Sequence, residues 1–103
     1  MSATTLTKDN FKSETEKGLS LVDFWASWCG PCRMMSPVVD GLSEKLPELK
    51  VCKVNVDEEP ELADEFAIDM IPALIFIKDG KEAGRIIGVK SEDDLIAKAK
   101  ELL

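Results

Sequence analysis

"LSLVDFWASWCGPCRMMSPVV", residues 19–39, joins two different hydrophobic rhythms. Residues 19–26 form a nearly continuous apolar run, the mark of a strand covered on both faces. From Cys29 the period changes, and Met35, Val38, Val39, Leu42 and Leu46 repeat at helical spacing. A strand therefore feeds into a helix, with Cys29 and Cys32 at the junction. Pro31 suits the first turn of that helix, where its missing N–H costs little. Pro37 falls inside the helix and predicts a kink, because it removes one backbone donor.

The flanking sequence extends this alternation. Upstream, Thr7 predicts the cap of a helix running through Lys17. Leu6 and Phe11 stand at the two positions of a hydrophobic staple, and Gly18 is its stop. Downstream, residues 50–56 read as a strand rich in β-branched residues. Asp57 to Glu59 with Pro60 open a helix whose apolar stripe is Leu62, Ala63 and Phe66. Residues 73–77 are a third strand, 78–80 a hairpin turn and 82–88 the returning strand. Ser91 caps a last helix with acidic residues 92 to 94 in its first turn, and Leu95, Ala99, Leu102 and Leu103 form its apolar face. The first two strands make a βαβ unit, parallel with a right-handed crossover; the last two are antiparallel. The expected fold class is α/β, a central mixed β-sheet flanked by helices on both faces, as one domain over 1–103. Residues 28–32 then lie at the carboxyl end of a strand, where open α/β sheets place their sites.

Composition narrows the function classes. The 20 acidic residues outnumber the 13 basic ones, a net charge of -7, which disfavours nucleic-acid phosphates and anionic membrane surfaces as partners. Residues 1–13 hold no apolar core of signal-peptide length, and no run approaches a membrane span. The expectation is a cytoplasmic monomer, in a compartment that keeps most thiols reduced. Three cysteines is an odd number, which argues against a disulfide framework. No histidine occurs, so imidazole is absent as metal ligand, base or thiol partner.

Two thiols three positions apart can hold half a metal site, close a small disulfide or exchange electrons. Zinc would need Cys52 and a carboxylate to complete its shell, and Cys52 falls in a core strand. A structural disulfide gains little from so small a loop. Exchange fits the position. Cys29 at a helix N-terminus faces unsatisfied N–H groups that favour a thiolate, and Cys32 lies one turn further on the same side. Cys29 would attack a client disulfide and Cys32 would resolve the mixed disulfide. Asp23 interrupts the apolar strand between Val22 and Phe24. Burial there should raise its pKa toward the range of proton transfer; an edge position facing water is the plain alternative. Lys53, in the neighbouring strand, is the candidate partner of Asp23, or else an exposed lysine on an alternating strand. Two rivals stay open: the same chemistry run as oxidase or isomerase, and a binding subunit without turnover.

The segment "LVDFWASWCGPCRMMSP", residues 21–37, resembles the active-site segment of the thioredoxin family, and the resemblance runs along nearly the whole chain. Trp25, Trp28, Gly30, Pro31 and Pro37 fall in the family pattern around the cysteines. The resemblance implies a thioredoxin fold with Cys29 as nucleophile and Cys32 as resolving thiol. It makes Asp23 the proton acceptor that activates Cys32, with Lys53 as the lysine beside it. It implies a cis-proline at Pro72, with the Ile71 backbone pairing to an extended client segment. Trp28, Gly30, Pro31, Ile71, Pro72, Gly88 and Val89 would form a docking patch. The implied activity is protein-disulfide reduction, with disulfide-containing client proteins and a thioredoxin reductase as partners. The Cys29–Cys32 couple carries the electrons, so no bound cofactor is implied. Met70, Ala73 and Arg33 depart from residues common in the family and bear on partner preference. Cys52 matches nothing in the core motif and reads as a buried structural thiol.

Overall fold

The computed structural model describes residues 3–103; Met1 and Ser2 of the expected domain lie outside them. In chain order the elements are β1 (Thr4–Thr5), α1 (Phe11–Thr15), β2 (Leu19–Trp25), α2 (Gly30–Lys45), β3 (Leu49–Asn55), α3 (Pro60–Glu65), β4 (Ala73–Lys78), β5 (Lys81–Ile87) and α4 (Glu92–Leu102). The sheet order is β1-β3-β2-β4-β5. The most apolar strand, β2, sits in the middle, parallel to β3 and antiparallel to β4. Six of its seven residues are buried, as a strand covered on both faces requires.

Side-chain alternation divides the core into two layers. Leu19 and Leu21 of β2, with Val51, Leu74 and Phe76, pack under Met35, Val39 and Leu42 of α2 and Leu95 and Ala99 of α4. Val22 and Phe24 face the other way with Cys52, Val54 and Ile75, under Phe11 of α1 and Leu62 of α3. Each large apolar side chain so buried contributes on the order of 1.5–3 kcal/mol. Asp23 continues the Leu19–Leu21 face, so its carboxylate enters the α2 layer rather than water; it is 1% exposed. The edge-strand alternative for Asp23 is thereby overturned, because β2 is paired on both sides.

Several boundaries differ from expectation for local reasons. β1 has only two residues, too few for a period to register, and pairs parallel with β3. The first helix is regular only over Phe11–Thr15. Thr7 instead organises the turn before it: its Oγ1 accepts from the Asp9 N–H, and its carbonyl accepts from Phe11. Leu6 and Phe11 are both buried in one cluster, as the staple predicts. Gly18 ends the segment at φ +74°. The hairpin turn has positive φ at both Asp79 and Gly80, the pattern that matches the twist of the paired strands. α2 continues through Pro37, which is exposed and offers no N–H to the Arg33 carbonyl.

Candidate active site

Cys29 occupies the N-cap of α2 in extended conformation, and its Sγ accepts a hydrogen bond from the Cys32 N–H at 3.2 Å. Gly30 and Pro31 are the first helical residues, so the chain turns sharply enough to bring the two cysteine Cα atoms within 5.2 Å. The two sulfurs are joined in a disulfide. Both cysteines are nearly covered, packed with Ala26 and against Trp25, Val56 and Ile71. Cys29 Sγ also lies 3.9 Å from the Ile71 carbonyl oxygen. The Ile71–Pro72 peptide is cis, and Pro72 is buried beside the strand end. A helix N-terminus with an amide aimed at the first sulfur favours negative charge there once the disulfide is reduced.

Below the disulfide lies a cleft of about 110 Å³ lined by Asp23, Trp25, Cys32, Arg33, Ser36 and Lys53. The Asp23 carboxyl is pushed up to about 7, chiefly by burial, with Lys53 pulling it down and Asp40 pushing it up. Its Oδ1 has no hydrogen-bond partner. Asp23 and Lys53 are cross-strand neighbours in the parallel β2–β3 register. The Lys53 ammonium nevertheless turns to α2, donating to Ser36 Oγ at 2.6 Å and pairing with Asp40 Oδ1 at 3.0 Å. Lys53 thus acts on Asp23 through its charge, while its head group contacts α2, which offers a hydroxyl and a carboxylate one turn apart.

The rim is apolar. Trp28 is 68% exposed, Met70 65% and Val89 47%. Trp28 Nε1 donates to Asp57 Oδ2 at 2.9 Å. Gly88 has φ +93°, with its N–H donated to the Pro72 carbonyl at 2.8 Å, so it ties the end of β5 to the cis-proline. A Cβ at Gly88 would meet nothing within 4 Å; its backbone angle, not crowding, is what calls for glycine. Arg33 donates to the Ser27 carbonyl at 2.9 Å and braces the loop ahead of Cys29. The sequence pattern gives Ser36 and Asp40 no role and marks Asp57 only as part of a helix start. Asp57 follows an Asn55 side chain that accepts from the Asp57 and Glu58 N–H groups, a turn that fixes its direction.

Cys52 is fully buried in the α1/α3 layer among Val22 and Phe24, apart from the cluster holding the disulfide. Burial pushes its thiol up to about 11. Among the described residues, no group of three or more His, Cys, Asp or Glu is arranged to hold a metal ion. No helix of the described residues is long and apolar enough to cross a membrane.

A sequence model of the thioredoxin family matches residues 2–101. The chain is 43% identical over 91 residues to a thioredoxin of Chlamydia trachomatis, covering 88% of this chain and 89% of that one. It is 45% identical to a thioredoxin of Listeria monocytogenes, covering 87% and 88%. A solved structure of a mutant thioredoxin from Halobacterium salinarum superimposes with a TM-score of 0.91 at 29% identity, covering 97% of this chain and 89% of that one.

Proposed function

The chain belongs to the thioredoxin family of thiol–disulfide oxidoreductases, and from that premise we propose that it reduces disulfides of client proteins and is itself re-reduced by a thioredoxin reductase. The Cys29 thiolate attacks one client sulfur, forming a mixed disulfide and expelling the other client sulfur as a thiolate that takes a proton. Cys32 gives its proton to Asp23 and attacks the Cys29 sulfur. The Cys29–Cys32 disulfide forms, the second client sulfur leaves, and two electrons have passed to the client. The reductase returns them. The cysteine couple is its own carrier, so no bound cofactor takes part.

The observation that carries this reading is the buried Asp23 carboxyl, its Oδ1 without a hydrogen-bond partner, in a cleft shared with Cys32. A carboxyl with its pKa near neutral accepts a proton at working pH more usefully than one near 4. Lys53 tunes that carboxyl from the next strand. Trp28, Gly30, Pro31, Ile71, Pro72, Gly88 and Val89 form the client docking patch, with the Ile71 backbone pairing to an extended segment. Trp25 and Pro37 hold the frame around it. The protein works as a monomeric single domain in the cytoplasm, with neither nucleic acid nor membrane as partner.

The test is turnover of a protein disulfide with NADPH and a thioredoxin reductase, for the native chain and for Cys29→Ser with Cys32→Ser. Reduction by the native chain alone is expected. Absence of turnover with every class of reductase would leave a binding subunit as the better reading.

A further inference from the structure

We propose that Ser36 and Asp40 are positioning residues that anchor the Lys53 ammonium on α2 and hold it off the Asp23 carboxylate. Cys32, Ser36 and Asp40 follow one another at four-residue intervals, so they share one helix face above the cleft. The register puts Lys53 directly beside Asp23, and an unrestrained ammonium there would be drawn to that buried carboxylate. Instead Lys53 Nζ donates to Ser36 Oγ at 2.6 Å and stands 3.0 Å from Asp40 Oδ1, an ion-pair contact without hydrogen-bond geometry, while Asp23 Oδ1 has no hydrogen-bond partner.

The chemical consequence has a sign. An ammonium placed on Asp23 would lower its pKa by roughly 1–3 units and leave it ionised at neutral pH, a weaker acceptor for a thiol proton. The anchor limits this twice, by turning the positive charge toward α2 and by setting the Asp40 negative charge nearby, so Lys53 lowers Asp23 less than burial raises it. The other groups facing Asp23 are few. α2 contributes Cys32 and Arg33 to the cleft, β2 its own Trp25, and β4 sets apolar Leu74 in register with Asp23. The consequence for turnover rests on the reading of Asp23 as proton acceptor; the anchor itself does not.

The test follows the Asp23 carboxyl carbon by NMR across pH in the full oxidised chain. S36A and D40N are compared in the native background and with K53M. In the native background both should lower the Asp23 midpoint, D40N by roughly one pH unit or more and S36A by less. With Lys53 removed, S36A should leave the midpoint unchanged, and at least half of the D40N shift should vanish. S36A removes no charge, so its shift reports where the ammonium goes. An unmoved midpoint in S36A, or equal shifts with and without Lys53, would overturn the proposal. If the midpoints shift as expected while mixed-disulfide resolution ignores them, the anchor stands and the proton-acceptor reading of Asp23 falls.

Discussion

The indole N–H of Trp28 donates to Asp57 Oδ2 at 2.9 Å, tying the loop before α2 to the loop after β3. The ring is therefore held in one orientation while most of its surface stays exposed. A rigid aromatic loses little conformational freedom on binding. Asp57→Ala should release the indole. KM for a protein disulfide should rise several-fold, in line with the roughly 1 kcal/mol net worth of one hydrogen bond, with little change in kcat. Steady-state kinetics with a protein disulfide measure this, and an unchanged KM would mean that the bond does not orient the ring.

Asp23 makes stability depend on pH. Its carboxyl is pushed from 3.8 up to about 7 in the folded chain, mainly by burial. The native state therefore binds the extra proton between about pH 4 and 7. Stability from this group is fully present below about pH 4 and is lost as pH rises through 7. Asp23→Asn is uncharged throughout and removes the dependence. Between pH 4 and 8, native stability should fall relative to the variant by on the order of 4 kcal/mol. Denaturant unfolding of the oxidised proteins at each pH checks it. Parallel curves would show a carboxyl with no raised proton affinity. The same variant should slow resolution of the mixed disulfide near neutral pH.

Cys52 should be inert where Cys29 is reactive. With its thiol pushed up to about 11, roughly one molecule in a thousand carries the Cys52 thiolate at pH 8, and the side chain has no exposed surface. In the reduced native chain, iodoacetamide should label Cys29 at least about 100-fold faster than Cys52. Peptide mass spectrometry of timed quenches gives both rates. Comparable rates would show that Cys29 lacks its expected thiolate character.

The junction at residues 19–39 was legible because the apolar period switches there from a strand to a helix, and Gly18, Gly80 and Ser91 mark boundaries by chemistry their types impose. Asp23 was legible because a carboxylate inside an apolar run has nowhere wet to go. What the sequence hid depends on side-chain direction across elements. Lys53 is indeed the neighbour of Asp23, but its head group follows the polar face of α2, which no strand pattern encodes. Ser36 and Asp40 look like any solvated residues of an amphipathic helix. Asp57 looks like any loop carboxylate until Asn55 fixes the turn that aims it at Trp28.

The end of α3 was hidden for a related reason and yields the last prediction. Helices commonly close on a glycine in the left-handed conformation, and Ala67 holds that position with φ +51°. The Ala67 N–H donates to the Asp64 carbonyl at 3.0 Å and the Ile68 N–H to the Ala63 carbonyl at 2.8 Å, the paired bonds of a Schellman closure. An L-residue is disfavoured there by roughly 1–2 kcal/mol, whereas glycine carries only its larger unfolded-state entropy, roughly 0.5–1 kcal/mol. Ala67 is exposed, so its methyl has little packing to lose. Ala67→Gly should therefore stabilise the chain by about 0.5–1 kcal/mol, where a glycine substitution inside a helix destabilises it. Equilibrium urea unfolding, with an unchanged m value, measures the difference. A destabilised variant would mean that α3 does not close through a left-handed residue at 67.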